Sequence, residues 1–313
     1  MDAAGLAAGF DEVFARVDEP IGDSSLVPTL LLARGARRHV KVVLGGEGAD
    51  ELFGGYPTYL GARFSWVPRL LPRPLRRLVA RLAARGGPHG NVGTRWLVRR
   101  LFEAADLPPL ERHLAWFGAF PAGEQVRLFR PEALPAIVGD SLLGPIREAA
   151  APALPTGDPV DALLRADLLL HLPDALLAKV DRATMLESLE ARAPFLERDL
   201  VEAAARMPAA WKVKGTSTKV VLREALAGVV PASVLHRKKR GFAVPVSRAL
   251  SGALGERLSD RLASSRLAHD LFDPAYAQGL LTEHREGRAD HSRRLYTLLA
   301  LLEWSERWLA PRD

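Results

Sequence analysis

The chain has 313 residues and is 48% hydrophobic, so it can bury a sizeable core as one large domain or two ordinary ones. Its 43 basic and 37 acidic residues leave a formal net charge of +6, which we attribute to a GC-rich coding bias rather than to a nucleic-acid surface. The absence of cysteine excludes disulfides, thiolate metal sites and cysteine nucleophiles. With no signal peptide and no apolar run of about 18 residues, the sequence predicts a cytoplasmic protein without a membrane partner.

The N-terminal elements are predicted to be two helices, a strand and the start of a third helix. Apolar spacing predicts amphipathic helices over residues 3–17 and 26–36, joined by a loop that ends in helix-capping residues. Residues 40–44 are nearly all apolar, which predicts a strand covered on both faces. With the glycine-rich turn that follows, they resemble one unit of a doubly wound parallel sheet. A sheet needs several strands, and the sequence shows one convincing parallel strand.

The middle of the chain is predicted to be helical and to end in a linker over residues 152–159, which is rich in proline. A strongly apolar helix over 160–170 is then interrupted by His171-Leu172-Pro173-Asp174. Asp174 is predicted to cap a helix that resumes over 175–189.

The remaining apolar periodicity predicts further helices. They cover residues 67–85, 96–104, 109–120, 122–128, 199–206, 220–227, 247–267, 276–285 and 293–309. The predicted fold class is therefore α/β, with a partial parallel sheet and a predominantly helical body. We divide the chain into an α/β part over 1–63, a helical insertion over 64–159 and a helical C-terminal part over 160–313.

The turn after the predicted strand combines glycines with acidic residues. Its members are Gly45, Gly46, Gly48, Glu47, Asp50 and Glu51. The glycines can adopt positive φ and bring backbone N–H groups close to a phosphate, at the strand end where open α/β sheets bind ligands. Because phosphate repels carboxylates, the combination implies a bridging Mg²⁺, although Glu47 could instead be a general base. The alternative is a tight turn whose acids stabilise the next helix N-terminus.

Two charged segments lie further along the chain. The run Arg237-Lys238-Lys239-Arg240 is either a solvated face or the source of one inward lysine that stabilises charge on pyrophosphate or on an oxyanion. Arg182, Glu190 and Arg192 lie beside a leucine-rich helix and a Pro-Phe-Leu segment, and we expect them to be partly buried and paired. They form either a structural ion-pair network or a substrate site.

Taken together, these segments resemble the synthetase domain of the glutamine-hydrolysing asparagine synthetases. The matching stretches are residues 44–56, 179–196 and 239–245, in that family's order and at about its spacing, with support from residues 18–21 and 172–174. The resemblance covers most of the chain and is weakest over residues 64–159. It is specific for the synthetase domain and less specific for the substrate, because lasso-peptide cyclases and β-lactam synthetases resemble the same domain.

The resemblance implies a nucleotide-binding α/β fold of the ATP pyrophosphatase type, which adenylates aspartate with MgATP before ammonia displaces AMP. It assigns Asp50 to Mg²⁺–pyrophosphate, Glu47 to assisting ammonia's attack, and Lys239 to stabilising charge in both steps. The other residues expected around the nucleotide and the substrate are Gly45, Gly46, Gly48, Arg182, Glu190 and Arg192. Mg²⁺ and a lysine are a suitable set of counter-charges for adenylation.

The sequence departs from the family pattern in two places. Gly45 stands where the family usually has serine, a mild change because the turn needs little side chain. The family's Ser-Gly-Gly-Leu-Asp-Ser-Ser nucleotide loop and its N-terminal glutaminase domain are not in the sequence. We therefore expect an N-terminally truncated synthetase domain, which arises by truncation or by a gene split, or whose missing strands a partner supplies. Its ammonia would come from a glutaminase domain or subunit outside this chain.

Two consequences follow from the expected truncation, and two alternative functions remain open. We expect the isolated chain to bind ATP poorly, and its exposed sheet edge to make it aggregation-prone. One alternative is a non-catalytic relic or a partner subunit of a split enzyme. Another is an amide ligase that acts on a peptide or secondary-metabolite carboxylate instead of aspartate.

Overall fold

The computed structural model describes residues 1–84, 94–137, 140–235, 237 and 244–309. Within these ranges the chain is mostly helical and contains a two-stranded parallel sheet, so the α/β prediction is confirmed at that level. None of the described helices is long and apolar enough to cross a membrane.

The N-terminal half of the chain contains ten α-helices in its described part, interrupted by one strand. These elements are α1 (Ala3–Phe14), α2 (Leu26–Arg37), β1 (Val42–Leu44), α3 (Ala49–Phe53), α4 (Pro57–Arg63), α5 (Arg73–Ala84), α6 (Thr94–Glu103), α7 (Pro109–Phe117), α8 (Ala122–Leu128), α9 (Leu134–Ile137) and α10 (Asp140–Ala150). Where the sequence predicts a linker over 152–159, the structure has a 3₁₀ helix (Ala151–Thr156).

The C-terminal half adds a second strand and further helices. They are α11 (Pro159–Ala166), α12 (Ala178–Met185), β2 (Glu190–Arg192), α13 (Arg198–Arg206), α14 (Ala209–Lys212), α15 (Val220–Ala225), α16 (Ala232–Leu235), α17 (Val246–Ser251), α18 (Ala253–Ser264), α19 (Arg266–Leu271), α20 (Pro274–Arg285) and α21 (Ser292–Trp308). The single helix predicted over 247–267 is therefore wrong, because the chain breaks it at Gly252 and Ser265.

The predicted interruption at residues 171–174 is also wrong. The chain runs from α11 through a π-helical segment, Asp167–Leu177, directly into α12, and Asp174 lies inside this segment instead of capping a new helix. Pro173 lacks the N–H that a helix interior needs, and the wider π-helix accommodates this loss. π-helical segments occur frequently at functional sites.

The sheet joins two segments that are far apart in the sequence. β1 and β2 pair in parallel, with Val42 opposite Glu190 and Leu44 opposite Arg192. Val42 is 39% exposed and Leu44 is 73% exposed, so the expectation of a strand covered on both faces is wrong for the described part of the chain. Val42 and Leu44 lie on one face of the sheet, and the described elements leave that face open.

The main hydrophobic core lies between the N-terminal and C-terminal helices. Phe10 of α1, Leu30 of α2, Leu250 of α17 and Tyr296 of α21 are all buried within it. A smaller core joins α4 and α11 through Tyr59 and related residues. A third cluster packs Leu52 and Phe53 of α3 against Ala204 of α13 and Leu168 of the π-helical segment, and α3 borders the candidate site.

Lys212 is a buried cation beside the end of α3, and it makes stability depend on pH. The residue is 4% exposed, and a Cβ at Gly54 would lie 3.5 Å from Lys212 Cβ. Burial lowers the pKa of Lys212 to about 8, and Asp161 offsets part of this effect. The folded state therefore holds the proton of the Lys212 ammonium less tightly than the unfolded chain does. Lys212 destabilises the protein below about pH 8, and the stability rises as the pH increases from about 8 to 10.5.

We expect Lys212→Met to stabilise the protein at pH 7 by roughly 1–3 kcal/mol, because it removes a buried charge while keeping the length of the side chain. Urea unfolding at pH 7 and pH 9.5 measures the effect. The advantage of the variant should shrink at the higher pH. Lys214→Met, at an exposed lysine two residues away, is the control and should change stability little. An equal advantage at both pH values would show that packing, not charge, is responsible.

Candidate active site

The turn between β1 and α3 has one glycine whose backbone conformation is demanding. Gly48 has a φ of 87°, and a Cβ there would lie 2.3 Å from Leu196 Cδ2. Gly45 and Gly46 do not have positive φ, and a Cβ at Gly46 would meet nothing within 4 Å. Gly48 therefore lets α3 begin directly against the Leu196 side chain, which belongs to the Pro-Phe-Leu segment after β2.

A matched pair of variants tests whether the turn requires glycine at position 48 but not at position 46. Gly48→Ala should destabilise the protein by about 1–3 kcal/mol, because alanine must adopt positive φ and displace Leu196. Gly46→Ala, two residues earlier in the same turn, should change stability by less than about 0.5 kcal/mol. Thermal unfolding of both variants measures the difference. Similar destabilisation by the two variants would mean that Gly48 has no special role.

Glu47 folds back toward the strand end. A Cβ at Gly45 would lie 1.9 Å from Glu47 Oε2, so the carboxylate occupies the space beside Gly45. The Gly45 N–H donates to the Arg192 carbonyl oxygen at 2.7 Å, which continues the pairing of β1 with β2 beyond the strand. The structure thus brings Glu47 and the end of β2 to the same edge of the sheet. This edge is formed by the carboxyl ends of both parallel strands, where α/β sheets bind ligands.

Glu190 and Arg192 share one face of β2 and bind each other. The Arg192 Nε donates to Glu190 Oε1 at 2.7 Å, and both side chains are more than half exposed. Their pairing agrees with the sequence-based expectation, but the expected partial burial of these two side chains is wrong. The chain exposes them because they alternate with Ala191, which carries the partly buried position of this short strand.

Asp50 lies in the first turn of α3 and faces a lysine. Lys219 Nζ is 2.9 Å from Asp50 Oδ1, and the side chains are 24% and 21% exposed, respectively. Gly55 makes room for this pair, since a Cβ there would lie 1.7 Å from Asp50 Oδ1 and 2.3 Å from Lys219 Cε. Lys219 itself has a φ of 53°, an uncommon conformation for a residue with a side chain. Such backbone strain persists where the surrounding structure enforces it, and it clusters at functional sites.

No functional role was predicted for Lys219. In the sequence it is the last residue of a basic, glycine-containing segment over residues 212–219. A signal was present, because only seven of the 43 basic residues are lysines and three of them lie in this segment. The pairing with Asp50 depends on tertiary structure, which periodicity does not reveal.

Glu51 does not belong to the carboxylate group of the turn. It is 1% exposed and accepts a hydrogen bond from the Tyr56 hydroxyl. Burial raises the pKa of the Glu51 carboxyl, although the Tyr56 hydrogen bond opposes this rise. The expectation of three carboxylates at the turn is therefore wrong, because one residue further along α3 rotates Glu51 by about 100° into the interior.

The remaining site residues predicted from the sequence lie apart from this turn or outside the described residues. Arg182, on α12, donates to Asp18 Oδ1 at 2.9 Å and also pairs with Glu19. These contacts place it against the loop before α2, as the ion-pair alternative expects. Lys239 lies outside the residues that the structure describes.

The side chains at the turn fit a magnesium ion only if the phosphates of a nucleotide supply further ligands. Across the described ranges, no group of three or more histidine, aspartate or glutamate side chains could hold a metal ion. Mg²⁺ often binds through one or two carboxylates together with substrate phosphates. Asp50, a partly exposed carboxylate already held by a cation, fits an ion of this kind that arrives with a nucleotide.

Comparison with known proteins agrees with this arrangement of motifs. The sequence model of the family described as Asparagine synthase matches residues 1–306. The chain belongs to the asparagine synthase family. Its turn with Glu47 and Asp50, its β2 segment and its C-terminal helices all lie within the matched residues.

Asparagine synthase relatives match nearly the whole chain but extend well beyond it. A Mycobacterium tuberculosis protein provisionally named asparagine synthetase [glutamine-hydrolyzing] is 39% identical over 300 residues, which are 96% of this chain and 44% of that protein. Asparagine synthetase [glutamine-hydrolyzing] 1 of Bacillus subtilis is 30% identical over 92% of this chain and 44% of its own length. The chain therefore spans a little under half the length of these relatives.

Proposed function

We propose that this chain carries the amide-forming site of an asparagine-synthetase-type carbon–nitrogen ligase. In this proposal ATP adenylates the carboxylate of aspartate, and ammonia from glutamine hydrolysed elsewhere displaces AMP to give asparagine. ATP and Mg²⁺ are the proposed cofactors, a glutaminase domain or subunit is the proposed source of ammonia, and the proposed location is the cytoplasm. The observation that carries the proposal is the Asp50–Lys219 pair, because Asp50 follows Glu47 by three residues in the turn that leaves the carboxyl end of β1.

Each residue then has a chemical task. In adenylation, a substrate carboxylate oxygen bonds to the α-phosphorus of ATP and the bond to pyrophosphate breaks, so negative charge increases on the leaving group. Lys219 and Lys239 are the proposed cations that stabilise this charge. When bound, Mg²⁺ supplies further counter-charge to the phosphates, and Asp50 is its proposed ligand.

The second step needs a proton acceptor. As the nitrogen of ammonia bonds to the carbonyl carbon, the bond to AMP breaks and the nitrogen must lose a proton. Glu47 is the proposed acceptor, because its carboxylate folds over the end of β1, beside the turn that carries Asp50. Arg192 and Glu190 are proposed to border the nucleotide from the end of β2, and Arg182 to support the loop before α2.

Aspartate-dependent exchange of labelled pyrophosphate into ATP tests the proposal. The exchange reports adenylation alone, so it needs neither glutamine nor ammonia. Because the isolated chain is expected to bind ATP poorly, the assay is run at a high ATP concentration, where we expect exchange with aspartate and Mg²⁺, and asparagine formation when ammonium chloride is added. Peptide and other amino-acid carboxylates form parallel arms, and exchange with one of them instead of aspartate would reassign the acceptor. No exchange with any carboxylate would favour a non-catalytic partner subunit.

A further inference from the structure

A largely buried polar cluster joins the middle of the chain to the candidate turn. We call it the Asp167 network, and it comprises Glu51, Tyr56, Tyr59, His113 and Asp167. Every member hydrogen-bonds to another member. The residues come from α3, the residue before α4, α4 itself, α7 and the π-helical segment. None of the five has a role in the function proposed above.

Asp167 is the centre of the network. The residue is 2% exposed, and its two carboxylate oxygens have different partners. The Tyr59 hydroxyl donates to Oδ2 at 2.6 Å, and His113 Nε2 lies 2.7 Å from Oδ1. Because a carboxylate only accepts hydrogen bonds, Nε2 carries the proton of the His113 ring. A buried carboxylate is costly without such donors, so the two contacts fix Asp167 in place.

Ring contacts connect both of these donors to Tyr56. The Tyr59 ring stacks on the His113 ring with their centroids 5.9 Å apart, and the Tyr56 ring lies 5.8 Å from the Tyr59 ring. The Phe117 ring closes the group, at 4.8 Å from His113 and 5.3 Å from Tyr56. His171 of the π-helical segment contacts Phe117 and Tyr56 at 4.6 and 6.2 Å. Rings that are packed on several sides have few alternative orientations, so the Tyr56 hydroxyl is held in one place.

Tyr56 extends the network to α3. Its hydroxyl donates to Glu51, which is 1% exposed and directly follows Asp50. Burial raises the pKa of the Tyr56 hydroxyl, so this group stays protonated and remains a donor near pH 7. A second link is apolar, since Leu168 of the π-helical segment packs against side chains of α3. The helix that carries Asp50 is therefore attached to the Asp167 network at two points.

α3 depends on contacts of this kind because it is short. It has five residues, whereas helices of fewer than about 12 residues are marginal in water on their own. Its position at the end of β1 is therefore set by what its side chains bind. Asp50 faces Lys219, and Glu51 faces Tyr56. Loss of the second contact would release α3 on the side of the Asp167 network.

We propose that the Asp167 network holds the Asp50 carboxylate in position for adenylation, and that His113 is the contribution of residues 64–159 to this task. The inference rests on the function proposed above and adds positioning residues to its site. These residues touch neither substrate nor nucleotide and act through α3. Displacement of a reacting group by about 1 Å can lower a rate by about 100-fold, so small shifts of α3 have large effects on adenylation.

The kinetics of pyrophosphate exchange test the positioning role. Tyr56→Phe and Tyr59→Phe each remove one hydroxyl, and His113→Phe removes the ring nitrogens. Each should lower kcat by about 10-fold and leave KM for aspartate within about 2-fold. Arg112→Met is the matched control, because Arg112 is 3% exposed on the same helix as His113 and donates to backbone carbonyl oxygens outside the network. It should lower the unfolding temperature by a similar amount to His113→Phe and keep kcat within about 2-fold. A loss of kcat that follows the unfolding temperature in all four variants would overturn the proposal.

A double-mutant cycle tests whether the network acts through Asp50. In the Asp50→Asn background, Tyr56→Phe should lower pyrophosphate exchange by less than about 2-fold, because no carboxylate remains to be positioned. The same substitution lowers exchange by about 10-fold when Asp50 is present. Equal losses in both backgrounds would show that Tyr56 acts independently of Asp50, and would overturn the proposal.

Amide hydrogen exchange of α3 separates failure of this inference from failure of the proposed function, since it needs no turnover. Tyr56→Phe and His113→Phe should accelerate the amide hydrogen exchange of α3 by at least about 5-fold, and Arg112→Met should leave it unchanged. Faster amide exchange with an unchanged kcat would overturn the positioning role and leave the proposed function standing. In a protein without pyrophosphate exchange, faster amide exchange would support the link from His113 to α3 and contradict the proposed function. Unchanged amide exchange in both variants would overturn the link.

Discussion

Replacement of Asp50 by asparagine should lower aspartate-dependent pyrophosphate exchange by at least about 100-fold. The substitution keeps the shape of the side chain but removes the charge that Lys219 holds at 2.9 Å and that is proposed to bind Mg²⁺. Loss of the ion pair with Lys219, whose side chains are both about one-quarter exposed or less, should lower stability by about 1–2 kcal/mol, so the protein should remain folded. The loss of exchange would therefore report function and not unfolding.

Three variants give this prediction its controls. Glu202→Gln removes an exposed carboxylate on α13 that pairs with Arg198 and Arg206, and exchange should stay within about 2-fold. Lys219→Met should lower exchange strongly, whereas Lys219→Arg, which keeps the charge, should retain more of it. Thermal unfolding of each variant checks that it is folded. Exchange by Asp50→Asn within about 3-fold of the unsubstituted protein would remove Asp50 from the proposed site.

Local sequence patterns were sufficient to predict the order of the main elements along the chain. The turn after β1 and the amphipathic helices were predictable, because apolar spacing and glycine–acid clusters act over a few residues. β2 was not predicted, because Glu190-Ala191-Arg192 is too short and too charged to show a strand pattern. The π-helical segment was interpreted as a break, because Pro173 usually ends an α-helix.

Side-chain partners were harder to predict than elements. Glu51 and Asp50 are adjacent in sequence, yet one faces Tyr56 in the interior and the other faces Lys219, which lies 169 positions along the chain. Helical rotation separates the two acids, and tertiary packing selects their partners. Local pattern therefore identifies the candidate turn, whereas the groups that surround it depend on the fold.

Substitution of Glu303 by glutamine should destabilise the protein by about 3 kcal/mol at pH 7, the largest effect on stability that we expect outside the candidate site. Glu303 lies on α21 with 6% exposure and receives hydrogen bonds from two arginines of α18. Arg257 Nη2 donates to it at 2.6 Å and Arg261 Nε at 2.8 Å, and Arg257 also pairs with Asp11 of α1. Glutamine leaves both guanidinium groups without their shared counter-charge. Because each arginine is about one-third exposed, water limits the loss.

The pH dependence separates a lost charge from altered packing. Burial opposes ionisation of Glu303, but the hydrogen bonds and charges of Arg257 and Arg261 hold its pKa below the ordinary value of 4.5. The folded state therefore binds this proton less tightly than the unfolded chain, and the stabilisation is present above about pH 4.5 and is lost as the pH falls through the folded-state pKa. Urea unfolding of the unsubstituted protein and of Glu303→Gln should give free energies that converge below that pH. Glu256→Gln, at an exposed position on α18, should differ from the unsubstituted protein by less than about 1 kcal/mol throughout. If the unfolding free energies of the unsubstituted protein and Glu303→Gln still differ by the same amount at pH 3, protonation of Glu303 does not affect the difference. The destabilisation would then come from packing.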